Sequence, residues 1–364
     1  MGAAVDFEFS SEQEMLRDSV RAFLADKAPL ASVRAGYETN GFDRAVWDGL
    51  VDLGVVGLLA AEKHGGAGMG MVDAAVVLEE LGRAVCPAPY VASAIGAVSL
   101  ADAELLPALA DGSAIGAVAI FEAGSRYRWS APATRATPDG AGGWRLDGGK
   151  VHVADATAAN VALVSALDDN EHIGIFATSD FSAEATPTVD GSSPAGRITL
   201  AASAARRVDL AGRAEVAIAR TLDRIGVAAV VDGVGAAQRA LELSVEYAKE
   251  RVQFDKPIGA FQAVQHLCAD MLRTVELGRA AGYYACWALD DADPPEAHRA
   301  STLARAFAAD AFPQVGGTAI QVFGGIGFTW EHDIHLYYKR LLSVASALGT
   351  ASDHLEELAT LAID

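Results

Sequence analysis

Apolar residues recur at helical spacing at Leu16, Val20, Phe23 and Leu24. Ser11 and Glu14, three residues apart just before them, predict a capped helix start. A second helix is expected from about Asp43, with Val46, Trp47, Leu50 and Leu53 turned inward and a stop near Gly54 and Gly57. Residues 62–70 hold too many glycines for a helix and read as loop, after which residues 72–85 resume a 3.6-residue period. From about Ile115 the texture changes. Residues 116–121, 144–146, 150–153 and 162–166 read as short strands, and Asp147-Gly148-Gly149 predicts a hairpin turn between two of them, because glycine accepts positive φ at little cost. Beyond Ala214 long helical periodicity returns, broken at residues 251–259, at Asp293-Pro294-Pro295 and at residues 324–327, which leaves four helices, enough for an antiparallel bundle. The expected fold class is therefore α+β: an N-terminal helical domain over 1–114, a middle β barrel or sandwich over 115–213, and a C-terminal four-helix bundle over 214–364.

Composition narrows the function classes. A chain of 364 residues suits two or three domains at roughly 150 residues each, and 51 % hydrophobic against 21 % charged residues excludes a disordered chain. A net charge of −20 repels phosphate backbones and anionic lipid heads, so neither nucleic acid nor a membrane surface is an expected partner. Cys86, Cys268 and Cys286 are odd in number and lack CxxC spacing, which suggests no disulfide framework and no zinc site and fits a reducing cytoplasm. The segment from Met1 to Phe9 has no basic region followed by an apolar one, and the longest apolar stretch, residues 225–237, is interrupted by Asp232. No export signal or membrane span is expected.

Three motifs carry chemistry. The first runs from Phe42 to Gly70, a helix ending in Leu-Gly followed by the glycine loop, and continues into Leu78-Glu79-Glu80-Leu81-Gly82-Arg83. The second is Tyr247-Ala248-Lys249-Glu250-Arg251-Val252-Gln253-Phe254-Asp255-Lys256-Pro257-Ile258-Gly259-Ala260-Phe261-Gln262, and the third is Gln321-Val322-Phe323-Gly324-Gly325-Ile326-Gly327-Phe328. A glycine turn brings backbone N–H groups close to a pyrophosphate, and an arginine ahead of an aromatic neutralises phosphates while the ring lies against adenine or ribose. Without a ligand, the same residues describe a loop with a solvent-facing arginine and a glycine helix stop. In this order and spacing the three motifs resemble the acyl-CoA dehydrogenase family, over almost the whole chain. The resemblance implies FAD as cofactor, bound across a subunit interface. It assigns Arg251, Phe254, Gln321, Gly324 and Gly325, with Gln262 as a weaker member, to a half-site for the adenosine and pyrophosphate of a flavin held mainly by a neighbouring chain.

The family's reaction removes a proton α to a thioester and passes the β hydrogen to flavin, so it needs a carboxylate base. In one branch the glutamate precedes Gly-Thr; here Ala347-Leu348-Gly349-Thr350 puts Leu348 at that position. In the other it lies thirteen residues before a glutamine; counting back from Gln238 gives Ile225. The resemblance thus implies no catalytic residue at the usual positions. The middle domain departs too. Phe121-Glu122-Ala123-Gly124-Ser125-Arg126 lacks the usual proline, and His152-Val153-Ala154 after Lys150 lacks the hydroxyl that hydrogen-bonds the flavin edge. Losses on the chain's own pocket, with the neighbour's half-site retained, resemble one subunit of the heteromeric actinobacterial branch. There a homologous chain carrying the glutamate completes an α2β2 tetramer that acts on steroid-derived CoA thioesters, with electron-transfer flavoprotein as the expected acceptor.

Other candidates are weaker. Asp223 could be a displaced base, but two residues from Ile225 is about 200° of helix rotation, which favours a solvated or capping aspartate. His332 and His335 stand at i, i+3 without a third ligand, so a solvated helix start is favoured and no metal is expected. Arg206-Arg207 could meet a CoA phosphate or be an exposed linker pair, and Cys86 reads as a buried structural thiol. Two further readings stay open: a self-sufficient homo-oligomeric dehydrogenase or other flavoenzyme using a displaced carboxylate, and a structural or CoA-binding member without flavin.

Overall fold

The computed structural model describes residues 9–37, 42–125 and 127–363. The segment from Met1 to Glu8 and the position of Arg126 lie outside the described residues. The chain begins with α1 (Ser11–Lys27), α2 (Leu30–Gly36), α3 (Arg44–Asp52) and α4 (Met71–Arg83). A π-helical stretch, Tyr90–Ala97, then leads through α5 (Val98–Leu100) to α6 (Leu106–Ala110). The capping box of α1 forms one residue earlier than expected. Ser10 Oγ accepts from the Gln13 N–H and Gln13 Oε1 accepts from the Ser10 N–H, while the Gln13 amide also donates to Asp73 Oδ1 at 3.0 Å. That tertiary bond selects Ser10 over Ser11, which the local pattern allows equally. Leu53 is not inward: α3 ends at Asp52 and the chain turns before Leu53 reaches the core, leaving it 38 % exposed. The glycine loop opens with one 3₁₀ turn, Glu62–His64.

Seven strands follow: β1 (Gly116–Ala119), β2 (Arg135–Pro138), β3 (Trp144–Ala154), β4 (Val161–Leu167), β5 (Ile173–Thr178), β6 (Ser182–Thr186) and β7 (Ala195–Arg207). The pairings β4–β2, β2–β3, β3–β7, β7–β5 and β5–β4 close a ring, with β1 added beside β4 and β6 beside β7. Leu146, Val153, Ala162, Val164, Phe176, Ile198 and Leu200 fill its interior. The expected hairpin at Asp147-Gly148-Gly149 does not exist. β3 runs straight through it, and the register against β7 slips between Leu146 and Gly148. Asp147 Oδ1 accepts the Ala202 N–H of β7 at 2.8 Å, so the turn-prone residues make a bulge that re-aims the strand rather than reversing it.

The last part contains α7 (Ala214–Glu250), a small hairpin of β8 (Val252–Gln253) and β9 (Lys256–Pro257), α8 (Gln262–Asp291), α9 (Pro294–Phe323), α10 (Ile334–Ala345) and α11 (Ala351–Ile363). The four expected helices are α7 to α10; α11 is a fifth, packed on α9. α4 lies against α7 at a crossing that two glycines make possible. A Cβ on Gly82 would sit 1.8 Å from the Asp232 carbonyl oxygen, and one on Gly235 would sit 1.8 Å from that of Glu79. The closeness seats the N-terminal helices on the bundle in one continuous core that includes Trp47, Leu78, Val231 and Phe312.

Candidate functional site

Two regions correspond to the residues singled out from sequence. The first is the end of the bundle where α7 and α9 both stop. α7 ends with Arg251 as its C-cap, and the chain reverses in the β8–β9 hairpin through Phe254 and Asp255, both at positive φ, +53° and +61°. That is the backbone a tight hairpin wants, but glycine or asparagine normally supplies it. Side chains there carry a cost of about 1–2 kcal/mol each. The Phe254 ring so placed is 85 % exposed, edge-on to Phe261 at 6.1 Å. α9 stops at Gly324, whose φ of +65° and ψ of −142° suit only glycine. A Cβ on Gly324 or Gly325 would meet nothing within 4 Å, so no packing inside the chain demands glycine there. Tyr247, one turn before Arg251, stacks on Phe323, just before Gly324, at 4.4 Å, which holds both loops at the same end. Arg251, Gln262, Gln321 and Gly325 are exposed, and Gly324 is half-buried. Phe328 and Trp330 extend the patch with exposed rings. Strained and exposed apolar groups around an arginine that has no side-chain partner among the described residues are the marks of a surface that meets something outside the chain.

The second region is internal. A cavity of about 160 Å³ lies between the π-helical stretch, α7, α10 and the end of β3, lined by Tyr90, Ala154, Asp155, Ile225, Ala229 and Ala347 among others. Ile225 faces it without any polar group. Leu348 stands at φ +60° and packs in the apolar cluster that also holds Leu222 and Tyr127, whose hydroxyl donates to the Ser346 carbonyl at 3.2 Å. Ala154 lines the cavity with a methyl group only. This volume falls below the roughly 300–1,000 Å³ of ordinary small-molecule sites. The outer end carries an arginine, an exposed ring and open backbone, whereas the inner cavity is small and sets Tyr90, Asp155, Ser192 and Ser343 beside Ile225 and Ala154.

Two charged features escaped sequence reading. Asp155 is buried at the cavity, and burial pushes its carboxyl up to about 7, opposed by the Arg340 charge. Arg340 is itself buried, with Nε 2.8 Å from Asp190 Oδ2, Nη1 donating to Asp232 Oδ1 at 3.1 Å and Nη2 donating to Ser192 Oγ at 3.0 Å. The charge of Asp232 inside an apolar run was the available signal; its distant partner was not.

The remaining candidates fall elsewhere. Asp223 is neither solvated nor a cap. It is 6 % exposed, and both its oxygens lie 3.0 Å from His298 Nδ1, with Arg305 Nη2 at 3.3 Å. It does not line the cavity. Arg206 is held by Asp102 at 2.5 and 3.0 Å and Arg207 by Asp168 at 3.0 Å, which removes both from a CoA role. His332 Nδ1 accepts the Ile334 N–H, while His335 is buried edge-on to Trp330 rather than solvated, and burial lowers it to about 4. Burial raises the Cys86 thiol to about 12, as suits a structural cysteine.

Comparison with known proteins places these features. Residues 10–112 match the acyl-CoA dehydrogenase N-terminal domain and residues 196–361 the acyl-CoA dehydrogenase C-terminal domain. The acyl-CoA dehydrogenase IpdE2 of Mycobacterium tuberculosis is 32 % identical over 354 residues, 95 % of this chain and 96 % of that protein. Among solved structures, the Tcur3481-Tcur3483 steroid ACAD variant superposes with a TM-score of 0.86 at 33 % identity, over 97 % of this chain and 98 % of that one. The ChsE4-ChsE5 complex of Mycobacterium tuberculosis gives 0.86 at 27 % identity, over 99 % of each chain. With both domain models matched and a full-length relative above 30 % identity, the chain belongs to the acyl-CoA dehydrogenase family, oxidoreductases acting on acyl-CoA.

Proposed function

We propose that this chain is one subunit of a FAD-dependent acyl-CoA dehydrogenase built from two kinds of chain, and that it completes its partner's flavin site while supplying no base of its own. The observation that carries this is an asymmetry. The bundle end with Arg251, Phe254, Gln321 and Gly325 is open and outward, whereas the chain's own base positions are Ile225, on a cavity of about 160 Å³, and Leu348, in an apolar cluster. Arg251 would meet the pyrophosphate, Phe254 the adenosine, and the turn at Gly324 and Gly325 would offer backbone N–H groups to the phosphates. Bound there, the flavin supplies the hydride acceptor. The partner is a homologous chain carrying the glutamate, in an α2β2 tetramer. The substrate is an acyl-CoA of the steroid-derived class, in keeping with the similarity to a steroid ACAD, and electron-transfer flavoprotein is the acceptor. The setting is the cytoplasm; no helix among the described residues is long and apolar enough to cross a membrane.

The test is flavin content. The chain made alone should be colourless, and the chain made with its catalytic homologue should co-purify yellow and oxidise acyl-CoA. A chain that is yellow and active alone would overturn the proposal. So would a colourless complex, which would favour a structural or CoA-binding member without flavin. One observation favours the self-sufficient reading: Asp155, a carboxyl with its pKa near 7, lines the chain's own cavity. On that reading Asp155→Asn abolishes activity of the chain alone; on ours there is no such activity to lose.

A further inference from the structure

Almost every buried or half-buried arginine in this acidic protein has a carboxylate against it. The start of α7 is different. Arg213, Arg220 and Arg224 line a groove of about 430 Å³ together with Ser99 and the turn at Asp209. Arg224 is half-buried, and its one side-chain partner among the described residues is Ser99 Oγ, to which Nη1 donates at 3.0 Å. Burial pushes its pKa down, and the carboxylate that acts on it from a distance, Asp290, is committed to the Met71 and Val72 N–H groups. Between the arginines, Thr221 is 1 % exposed and its Oγ1 has no hydrogen-bond partner among the described residues, although the residue lines the same groove. A half-buried cation with no carboxylate against it and an unsatisfied buried hydroxyl each cost stability, and one anion in the groove would relieve both.

We propose that this groove binds the phosphate groups of a small molecule, with Arg220 and Arg224 on the phosphate oxygens and Thr221 and Ser99 completing the set. Arg220 and Arg224 are one turn apart, about 6 Å along the helix, so both guanidinium groups can reach one phosphate or the two of a diphosphate. Arg213 stands about 10 Å further along the same face, too far to share a single carboxylate, which favours a ligand with more than one anionic group. The volume suits a nucleotide-sized molecule. Asp209, the one acid lining the groove, is exposed and its Oδ1 accepts the Ala211 N–H. The groove shares no lining residue with the cavity at Ile225, and Arg220 and Arg224 lie about 140° and 100° around α7 from that residue at 100° per residue. The site is therefore separate from the cavity, and it does not depend on the flavin half-site at Arg251.

The test uses the full chain, with its partner chain where the two co-purify, and calorimetric titration with inorganic diphosphate, ADP and CoA. Saturable binding at low salt is expected, weakening as salt rises. Arg220→Gln and Arg224→Gln should each weaken it at least tenfold and Thr221→Val several-fold, while Arg273→Gln, on the exposed face of α8, leaves it unchanged. Arg220 is exposed, so its variant should fold normally, with circular dichroism as the control. Comparing the three ligands separates a bare diphosphate site from one that also reads a nucleoside or the CoA 3′-phosphate. No saturable binding of any of them in the millimolar range would overturn the proposal. So would full affinity in Arg220→Gln, or loss in Arg251→Gln alone, which would move the phosphates to the bundle end. Binding by the chain alone that disappears in the complex would mean that an acidic segment of the partner fills the groove, and would also overturn it.

Discussion

The charge cluster around His298 makes a pH-dependent clamp on the C-terminal helix. His298 in α9 lies 3.0 Å from Asp223 of α7 through Nδ1 and 3.2 Å from Glu357 of α11 through Nε2, and Arg305 reaches the same two carboxylates at 3.3 and 3.6 Å. The bonds to Asp223, and then to Glu357, raise the imidazole from 6.5 to about 9. Because the folded value lies above the unfolded one, the stabilisation is complete below about pH 6.5 and is lost as pH rises through about 9. At about 1.4 kcal/mol per pH unit the difference corresponds to roughly 3 kcal/mol. About a third of the His298 and Glu357 side chains is exposed, and solvent screening reduces this to about 1–2 kcal/mol. The assay is urea unfolding of the wild type and His298→Gln at pH 6, 7.5 and 9.5. The variant should be less stable at pH 6 by about that amount, and the gap should close by pH 9.5. A gap independent of pH would refute the charged clamp and leave His298 a packing residue. The readout also bears on the turn at Leu348, because residues 346–350 join α10 to the helix that Glu357 anchors.

Three shorter predictions follow from the site and its surroundings. Arg251→Ala should lower FAD affinity of the co-purified complex by roughly ten- to over a hundredfold, with Arg251→Lys recovering only part because an ammonium lacks the planar fork; unchanged affinity by FAD titration in a folded complex would remove Arg251 from the half-site. Leu348→Glu or Ile225→Glu should not make the isolated chain turn over acyl-CoA, since a base contributes only ~10²–10⁴-fold and cannot replace a hydride acceptor; turnover without a partner would show that a working pocket persists. Arg340→Met should destabilise the fold by about 3–5 kcal/mol in denaturant unfolding, because it leaves Asp190 and Asp232 buried without their counter-charge; a loss under 1 kcal/mol would mean that water or protonation accommodates them.

Where local rules decide an element, the sequence is readable; where a distant partner decides it, the sequence misleads. The breaks at residues 251–259 and 324–327 and at Pro294 come from glycine and proline, and the helices end there. At Asp147-Gly148 the same kind of residue makes a bulge, because β7 supplies an Ala202 N–H for Asp147 and keeps β3 paired on both sides. Nothing near position 147 in sequence reports that strand. Asp223 is misread for a similar reason. Its rotation away from Ile225 is a local helical fact and holds, but the environment it turns into is set by His298 and Arg305, some eighty residues on. The outward position of Arg251 and Gly325 is legible because the helix stops that set it are contained in two short motifs. Asp155 and the Arg340 hub are not, because each consists of charges drawn from separate elements.

The two positions proposed to lack a base, Ile225 and Leu348, are part of the packing around them. Gly96 in the π-helical stretch has no side chain, and a Cβ there would lie 3.0 Å from Ile225 Cδ1 and equally close to Val118, so the isoleucine occupies the room that a longer polar residue would need. Leu348 is held in a left-handed conformation by a turn whose next residue, Gly349, has φ +140°, and its side chain joins Leu222 and Tyr127 in an apolar cluster. A glutamate at Leu348 would face that apolar cluster, where desolvation favours the protonated acid, which cannot abstract a proton, and one at Ile225 would face the cavity beside Asp155, whose own carboxyl burial raises to about 7. Restoring a base would therefore require reopening this side of the cavity as well as one codon change. The bundle end shows the opposite economy. The strain at Phe254 and Asp255 gains no burial within the chain, so a contact with another molecule is what would offset it.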